Sequence, residues 1–463
     1  MILKKLISLL LVLALCLSCA AALADAGSAK TADPEAKRNI KIQKAGANET
    51  PAGISPTTGR SLADVYAEYF MDGDYAAVNS TWDGMAVSGQ YFPIMSTHTG
   101  VNGATGEGAP FYGKAVDIYY EQPKYEPGVT RMVLLYNDVL PSFGGASRSL
   151  RCGHLFIRQE WNAPLFYMGC QDLDLSAKFH NDCNYWINAL KLPASYNNDK
   201  LDPAQRLIFD GTNGGKGFLA YKYRFQQYPD SYNVLWDFAA LKREYLGGAK
   251  DPADHPHALK FGDMTTEGDS AETVYVFFNT GAVYGTNASS EGTTYINSFY
   301  SWDEEEGQYY RYMITDLNNP ENNPIPFTEQ RIENATVGGP LAGDTGSRAG
   351  LALKGEAVVT AEDDGAITFS NVIVQHIGMH WLRSDAPYPN LTGTGNADYF
   401  IGGKHYTGVW NRDTLDDRTV FYGEDGQEIS LQPGRTIIVQ LDSFTADRND
   451  NLTRNASRVL KYE

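Results

Sequence analysis

The spacing of apolar side chains changes character along the chain. From Leu6 to about Leu17 they run unbroken and uncharged behind Lys4 and Lys5, and Ala22-Leu23-Ala24 follows with small residues at the two positions a signal peptidase reads. This pattern predicts a secretory signal peptide over 1–24, cleaved after Ala24; the run falls short of the roughly 20 residues a spanning helix needs. Residues 25–60 hold few large apolar side chains and many Ala, Gly, Lys, Thr and Pro, which predicts a flexible tether. Ser61 can then cap a helix whose apolar face is Leu62, Val65, Tyr66, Tyr69 and Phe70.

From 61 to about 250 the pattern alternates between strand and helix. Residues 115–121 and 130–136 read as strands, the second apolar on both faces near its end, as a central strand would be. A helix is expected to open after Ser149, a short strand to cover 165–168, and a second helix to run over 231–245, with Leu235, Phe238 and Leu241 on one side and Gly247-Gly248 as its stop. Gly-Gly, Asp-Pro and His-Pro steps at 247–260 mark a boundary. Over 255–463 helical periodicity disappears. Residues 273–278 read as a strand and 316–355 as an irregular insertion. Strands follow at 371–377, 397–401, 404–410, 419–422, 428–431 and 436–441, with Gly402-Gly403 and Glu424-Asp425-Gly426 as hairpin turns. The expected fold is therefore α+β: an N-terminal α/β domain with a mixed sheet over 61–250, then a β-rich C-terminal domain that is a meander, small barrel or sandwich.

A net charge of −18 argues against nucleic acid as a partner and against an electrostatic grip on anionic lipid. No stretch beyond the leader is long and apolar enough to span a membrane. The expected location is the cell envelope or the medium. A lipid anchor at Cys19 is the less favoured alternative, because Ser18 suits such a site while Cys16 and Leu17 do not. Cleavage would leave Cys152, Cys170 and Cys183, an odd set without a C-x-x-C pair, which fits one bridge at most or buried thiols and no zinc site.

The sharpest chemical feature is Arg148-Ser149-Leu150-Arg151, one strand after Arg131 and two residues past Gly144-Gly145. A glycine turn leading into a helix start offers free N–H groups, and two arginines beside it supply planar donors for phosphate or carboxylate. Asp117 and Glu121, four apart on a strand, share a face and are expected to hold those arginines in an ion-pair network. Paired carboxylates for acid/base or metal chemistry are the sharper and less favoured alternative. His376 and His380 lack the Glu and the helical setting of a zincin motif, so no metal is expected there. His255 and His257 read as solvated linker residues, and Trp410 as core. No nucleophile elbow or Walker loop appears, and Gly214-Gly215-Lys216-Gly217 lacks the spacing of the latter; no cofactor is expected.

In order and spacing, several segments resemble the YerB-like family, exported chains described as lipoproteins and lacking an assigned activity (the domain of unknown function family 3048). In the second half these are 371–375, 391–395, Gly408-Val409-Trp410, 418–422, 425–429 and Leu431-Gln432-Pro433-Gly434-Arg435-Thr436, with Tyr300-Ser301-Trp302-Asp303 upstream. In the first half, Pro56-Thr57-Thr58-Gly59 resembles the family's Pro-x-Thr-Gly. Asp117 to Glu121 is similar to its Ala-Asp-x-Val-Tyr-Glu, Gly128 to Arg131 to its Gly-x-Thr-Arg, and Gly145 to Arg151 to its Gly-Pro-Val-Arg-Ser-Ala-Arg without the proline. Two features depart: no histidine stands near Gly214–Gly217 where the family has Pro-His-Asn, and Gly169-Cys170-Gln171 replaces its Gly-Gly-Ser. The resemblance implies both domains of the family and no reaction, substrate or cofactor. The expected role is non-catalytic binding or assembly in the envelope, with a cell-wall or lipid-linked component as partner. The alternative is an enzyme acting on a phosphate-bearing envelope component through the arginines.

Overall fold

The structure is a computed structural model that describes residues 29–46, 50–51, 53–68, 94–99, 112–125, 129–139, 141, 143–170, 182–192, 208–210, 220–224, 232–237, 259–263, 267–278, 297–314, 325–329, 331–333, 336–340, 351–354, 358–360, 365–382, 386–447 and 449–463. The signal peptide, Cys19, Tyr69, Phe70, His255, His257 and Gly214–Gly217 lie outside the described residues.

In chain order the elements used below are α1 (Leu62–Tyr66), β1 (Ile94–Thr99), β2 (Ile118–Tyr125), β3 (Val129–Tyr136), α2 (Cys152–Trp161), β4 (Leu165–Tyr167) and α3 (Cys183–Ala189). There follow β5 (Thr273–Phe277), β6 (Asn297–Asp303), β7 (Gln308–Ile314), β8 (Asn371–Trp381), β9 (Gly393–Ile401), β10 (Lys404–Arg412), β11 (Val420–Gly423), β12 (Thr436–Ala446) and β13 (Val459–Tyr462). The chain is strand-rich. The main sheet is mixed and runs β11–β10–β9–β8–β12–β2–β3–β1–β4, with β8, β12 and β2 mutually parallel and β4 parallel to β1. Among the described residues it closes into no barrel. A second, antiparallel sheet runs β13–β5–β6–β7.

The pleat explains the layers. Along β2, β12 and β8, Tyr119, Ile437, Val439, Val372 and Val374 face the second sheet and pack with Val274, Val276 and Tyr300. The alternate residues Ile118, Tyr120, Ile438 and Ile373 lie in the core built under α2 from Leu155, Phe156 and Ile157. β3 is buried on both faces from Met132 to Tyr136, as its apolar run predicts. Gly402 and Gly403, at φ +61° and +70°, make the β9–β10 hairpin turn in a backbone region that side-chain-bearing residues seldom adopt.

Four expectations are corrected. Residues 232–237 form a strand (Tyr232–Asp237) where a helix was expected; Tyr232, Val234 and Trp236 alternate with period two, and that signal outweighs the apolar spacing read as helical. Residues 238–245 lie outside the described residues. Gly144-Gly145 is no turn but part of the strand Phe143–Ser147, which pairs with Tyr232–Asp237 across an irregular register. Residues 29–46, expected within a flexible tether, lie along the second half: Lys30–Thr31 pairs with β13, and the Asn396 amide donates to the carbonyls of Pro34 at 2.8 Å and Ala36 at 3.0 Å. Finally, β12 pairs directly with β2, so one sheet continues across the expected division near 250.

Candidate functional site

The longest described helix, α2, begins at Cys152 with Arg151 as its N-cap, so Ser149 stands before the cap and not at it. At the third helical position His154 turns its ring back: Nδ1 accepts the Arg151 N–H at 3.2 Å, the place a Glu or Gln takes in a capping box. Its proton therefore sits on Nε2. Burial first, then the charges of Arg151 and Arg131, hold the imidazole well below its usual range, so the ring is neutral. His154 is 1 % exposed, and its Nε2 has no hydrogen-bond partner. Two of the sequence-predicted arginines, Arg151 and Arg131, thus lie close enough for their charges to act on this ring. Arg131 is buried and its Nη1 donates to the Thr130 carbonyl at 3.2 Å, while Arg151 Nη1 donates to Leu150 at 2.9 Å. Arg148 and Ser149 are half-buried, and the Arg148 N–H joins the sheet at the Thr97 carbonyl, 3.2 Å away.

The expected pairing of these arginines with Asp117 and Glu121 is corrected by the parity of the strand. Arg131 lies opposite Gln122, not Glu121, in the β2–β3 register. Glu121 faces the second sheet, where Arg311 Nη2 bonds both its oxygens at 2.9 and 2.8 Å and the Thr130 hydroxyl donates at 2.6 Å. Asp117 lies about 17 Å along the strand from Gln122, at roughly 3.3 Å per residue. Its Oδ2 accepts the Thr57 hydroxyl at 2.6 Å and the N–H groups of Asn137 and Asp138 at 3.1 and 3.0 Å. Asp138 in turn accepts the Thr58 hydroxyl at 2.6 Å. Burial, then the nearby Asp138 charge, push the Asp117 carboxyl well above the usual range. Beside this pair lies a cavity of about 350 Å³ lined by Thr58, Arg60, Lys114, Ser370, Gly434 and Arg435.

A second buried centre was not foreseen. Asp398 is fully buried and takes hydrogen bonds from His376 Nε2 at 2.7 Å, His405 Nε2 at 2.8 Å and Arg38 Nη2 at 3.1 Å. Burial would raise its carboxyl, but the two histidine bonds and the Arg38 charge outweigh it and hold it well below the usual range. His376 Nδ1 meets the Ser443 hydroxyl at 2.5 Å, giving the order hydroxyl, imidazole, carboxylate. Ser443 is buried and lines neither the cavity beside Asp117 nor a second one. His405 does line one, a cavity of about 310 Å³ with Lys260, Glu267, Asp269, Tyr406 and Tyr462. His376 and His380 do not converge, since a register shift follows His376 and His380 reaches Asp450 instead. Among the described residues no group of three His, Cys, Asp or Glu is placed to hold a metal. Cys152, Cys170 and Cys183 form no disulfide with one another, and burial pushes the Cys152 thiol up to about 12. Trp410 is buried and its indole N–H donates to the His376 carbonyl at 2.9 Å.

The residues missed by sequence reasoning left faint signals. His154, three residues after the predicted Arg151, has the spacing of a capping box with an unusual acceptor. Asp398 and Arg38 are 360 residues apart and carry no joint signal.

Comparison with known proteins places part of the chain. Residues 351–438 match the family described as "Protein of unknown function (DUF3048) C-terminal domain". No curated protein matches the sequence. Among solved structures, the crystal structure of the YerB protein from Bacillus subtilis is similar, with 14% identity and a TM-score of 0.51, over 87% of this chain and 99% of that one. That likeness concerns the fold.

Proposed function

This is a YerB-like chain carrying the carboxy-terminal domain of the DUF3048 family, and on that premise we propose that it is an exported cell-envelope protein that binds an anionic envelope component without turnover. The site is the start of α2, with Arg131 and Arg151 as its charged donors and Arg148 and Ser149 at its approach. One observation carries the reading: a buried imidazole with an unpartnered donor stands in the first turn of a helix, within reach of the charges of Arg151 and Arg131. A helix start favours negative charge, and guanidinium groups suit phosphate or carboxylate oxygens. The distance to Asp117, and the burial that pushes the adjacent Cys152 thiol up and keeps it protonated, favour binding over chemistry. The partner is a cell-wall or lipid-linked component bearing such a group. The leader pattern supports export with a mature terminus at Asp25.

Two measurements test this. Mass spectrometry of the protein made in a Gram-positive host should find Asp25 first; a diacylated Cys19 would place the protein on the membrane, and an intact leader on a cytoplasmic protein would refute export. Arg151→Ala should weaken inorganic phosphate binding tenfold or more in calorimetry while the fold is kept, and phosphate binding unchanged in Arg131→Ala and Arg151→Ala would remove the site.

A further inference from the structure

We propose that Gln122 and His154 complete the site at the start of α2, and that the group it takes is a tetrahedral oxyanion, phosphate or sulfate, and not a carboxylate. This rests on the reading of that helix start as an anion site.

The floor of the site is a ladder of buried amides. Gln122 lies opposite Arg131 across the β2–β3 pair. Its side chain sits so close under the helix that a Cβ on Gly153 would stand 2.4 Å from its Oε1 and 3.0 Å from its Nε2. Glycine at this position is what lets the first turn of α2 rest on the amide. Gln122 Nε2 donates to Gln440 Oε1 at 2.5 Å, and Gln440 Nε2 donates to Gln375 Oε1 at 2.9 Å. The ladder ends badly: Gln375 is 1 % exposed and its Nε2 has no partner.

An amide's oxygen and nitrogen are assigned by the bonds they make, and all three amides can turn over together. In the reversed ladder Gln375 donates to Gln440, Gln440 donates to Gln122, and the spare donor becomes Gln122 Nε2, directly under the helix start. The reversed ladder leaves the Gln375 oxygen unmade in place of its nitrogen and moves the spare donor to Gln122 Nε2, beside the helix start, where a ligand can take it. His154 presents the same logic a second time, since the Arg151 N–H fixes its tautomer and leaves Nε2–H with nothing to bond.

Donors therefore arrive from the sheet, by Gln122 and Arg131 on paired strands, and from the helix above it, by His154 and Arg151. A carboxylate has two oxygens in one plane. A tetrahedral oxyanion turns an oxygen toward each side, and it remains an acceptor beside a ring that stays neutral.

The test uses the mature full-length chain, with heat unfolding and calorimetry at fixed ionic strength. Inorganic sulfate and phosphate should raise the melting temperature and acetate should not. His154→Gln keeps both the cap acceptor and a donor and should bind; His154→Glu keeps the cap but places a negative charge in the site and should lose affinity tenfold or more. A structural capping role predicts that both variants behave alike. Gln122→Met, which keeps the length and removes the donor, should also lose tenfold or more. If the arginine variants lose phosphate while Gln122→Met and His154→Glu retain it, the floor and the imidazole are not part of the site, though the arginine reading stands. If the wild type responds to acetate as to sulfate, the tetrahedral assignment fails; if it responds to no anion, both readings fail. Sedimentation with phosphatidylglycerol vesicles, lost in His154→Glu, would assign the oxyanion to a lipid headgroup. Binding of the free ion without vesicle binding would assign it to a soluble or polymer-borne phosphate.

Discussion

Asp117 shows how much a single buried carboxyl can govern. Three donors converge on one of its oxygens, yet burial and the adjacent Asp138 raise it well above the usual carboxylate range. A carboxyl raised in the folded state contributes stability that is fully present below the unfolded value of about 4 and is lost as pH climbs through the folded one. Asparagine mimics the protonated form. Asp117→Asn should therefore match the wild type near the unfolded carboxylate pKa and become the more stable protein as pH rises to neutrality. Chemical denaturation across that range checks it. A variant less stable at every pH would mean that the ionised carboxylate holds Thr57 and the Asn137–Asp138 backbone.

At the scale of elements, the segment over 29–46 is the instructive case. Its composition, short on large apolar groups, predicts a tether, and nothing in its own sequence contradicts that. What orders it lies elsewhere: Asp398 in β9 is buried with His376 and His405 and recruits Arg38, which also donates to the Gly408 carbonyl at 2.8 Å. Removing the guanidinium leaves a buried carboxylate held by the two histidines. Arg38→Ala should cost about 2–4 kcal/mol, below the usual 3–5 for a broken buried pair because the histidines remain. Because Asp398 is held low, this loss should persist from neutral pH down to the usual carboxylate range and shrink as pH falls further, toward the folded pKa of Asp398. Urea titration of variant and wild type tests both points, and a cost under half a kcal/mol would make the strap dispensable. The contrast explains what was readable. β3, β8, β10 and β12 carry their burial in their own alternation or apolar runs and were legible; the turn at Gly402-Gly403 was too. Tyr232–Asp237 was mistaken because Leu235 and Trp236 suit either period over six residues. In the site, Arg131 and Arg151 were legible as a pattern. The parity that separates them from Glu121 and gives them Gln122 was not, because it depends on register between strands.

On the scale of the whole molecule, the two expected halves are hard to part. β12 from the second half lies between β8 and β2, paired with β2 from Thr436↔Ile118 to Val439↔Glu121. Glu121 of the main sheet meets Arg311 of the second sheet, both side chains wholly buried, and the Ser298 hydroxyl also accepts from Arg311 Nη2 at 3.0 Å. Arg311 also lies over the Phe327 ring at 4.6 Å. A buried ion pair whose partner is removed leaves an uncompensated charge, and Glu121→Ala should cost about 3–5 kcal/mol. The larger consequence concerns cooperativity. Separate domains melt separately, whereas halves that share a sheet, a core and a buried ion pair lose their edges together. Calorimetry of the mature chain should show one transition, and Glu121→Ala should shift that transition whole. A fragment over 255–463 would expose the β12 edge that β2 covers and leave Arg311 unpaired, and it should be aggregated or lack a cooperative melt. Two resolved transitions in the intact chain, with Glu121→Ala moving one and sparing the other, would show that the shared sheet does not couple the halves.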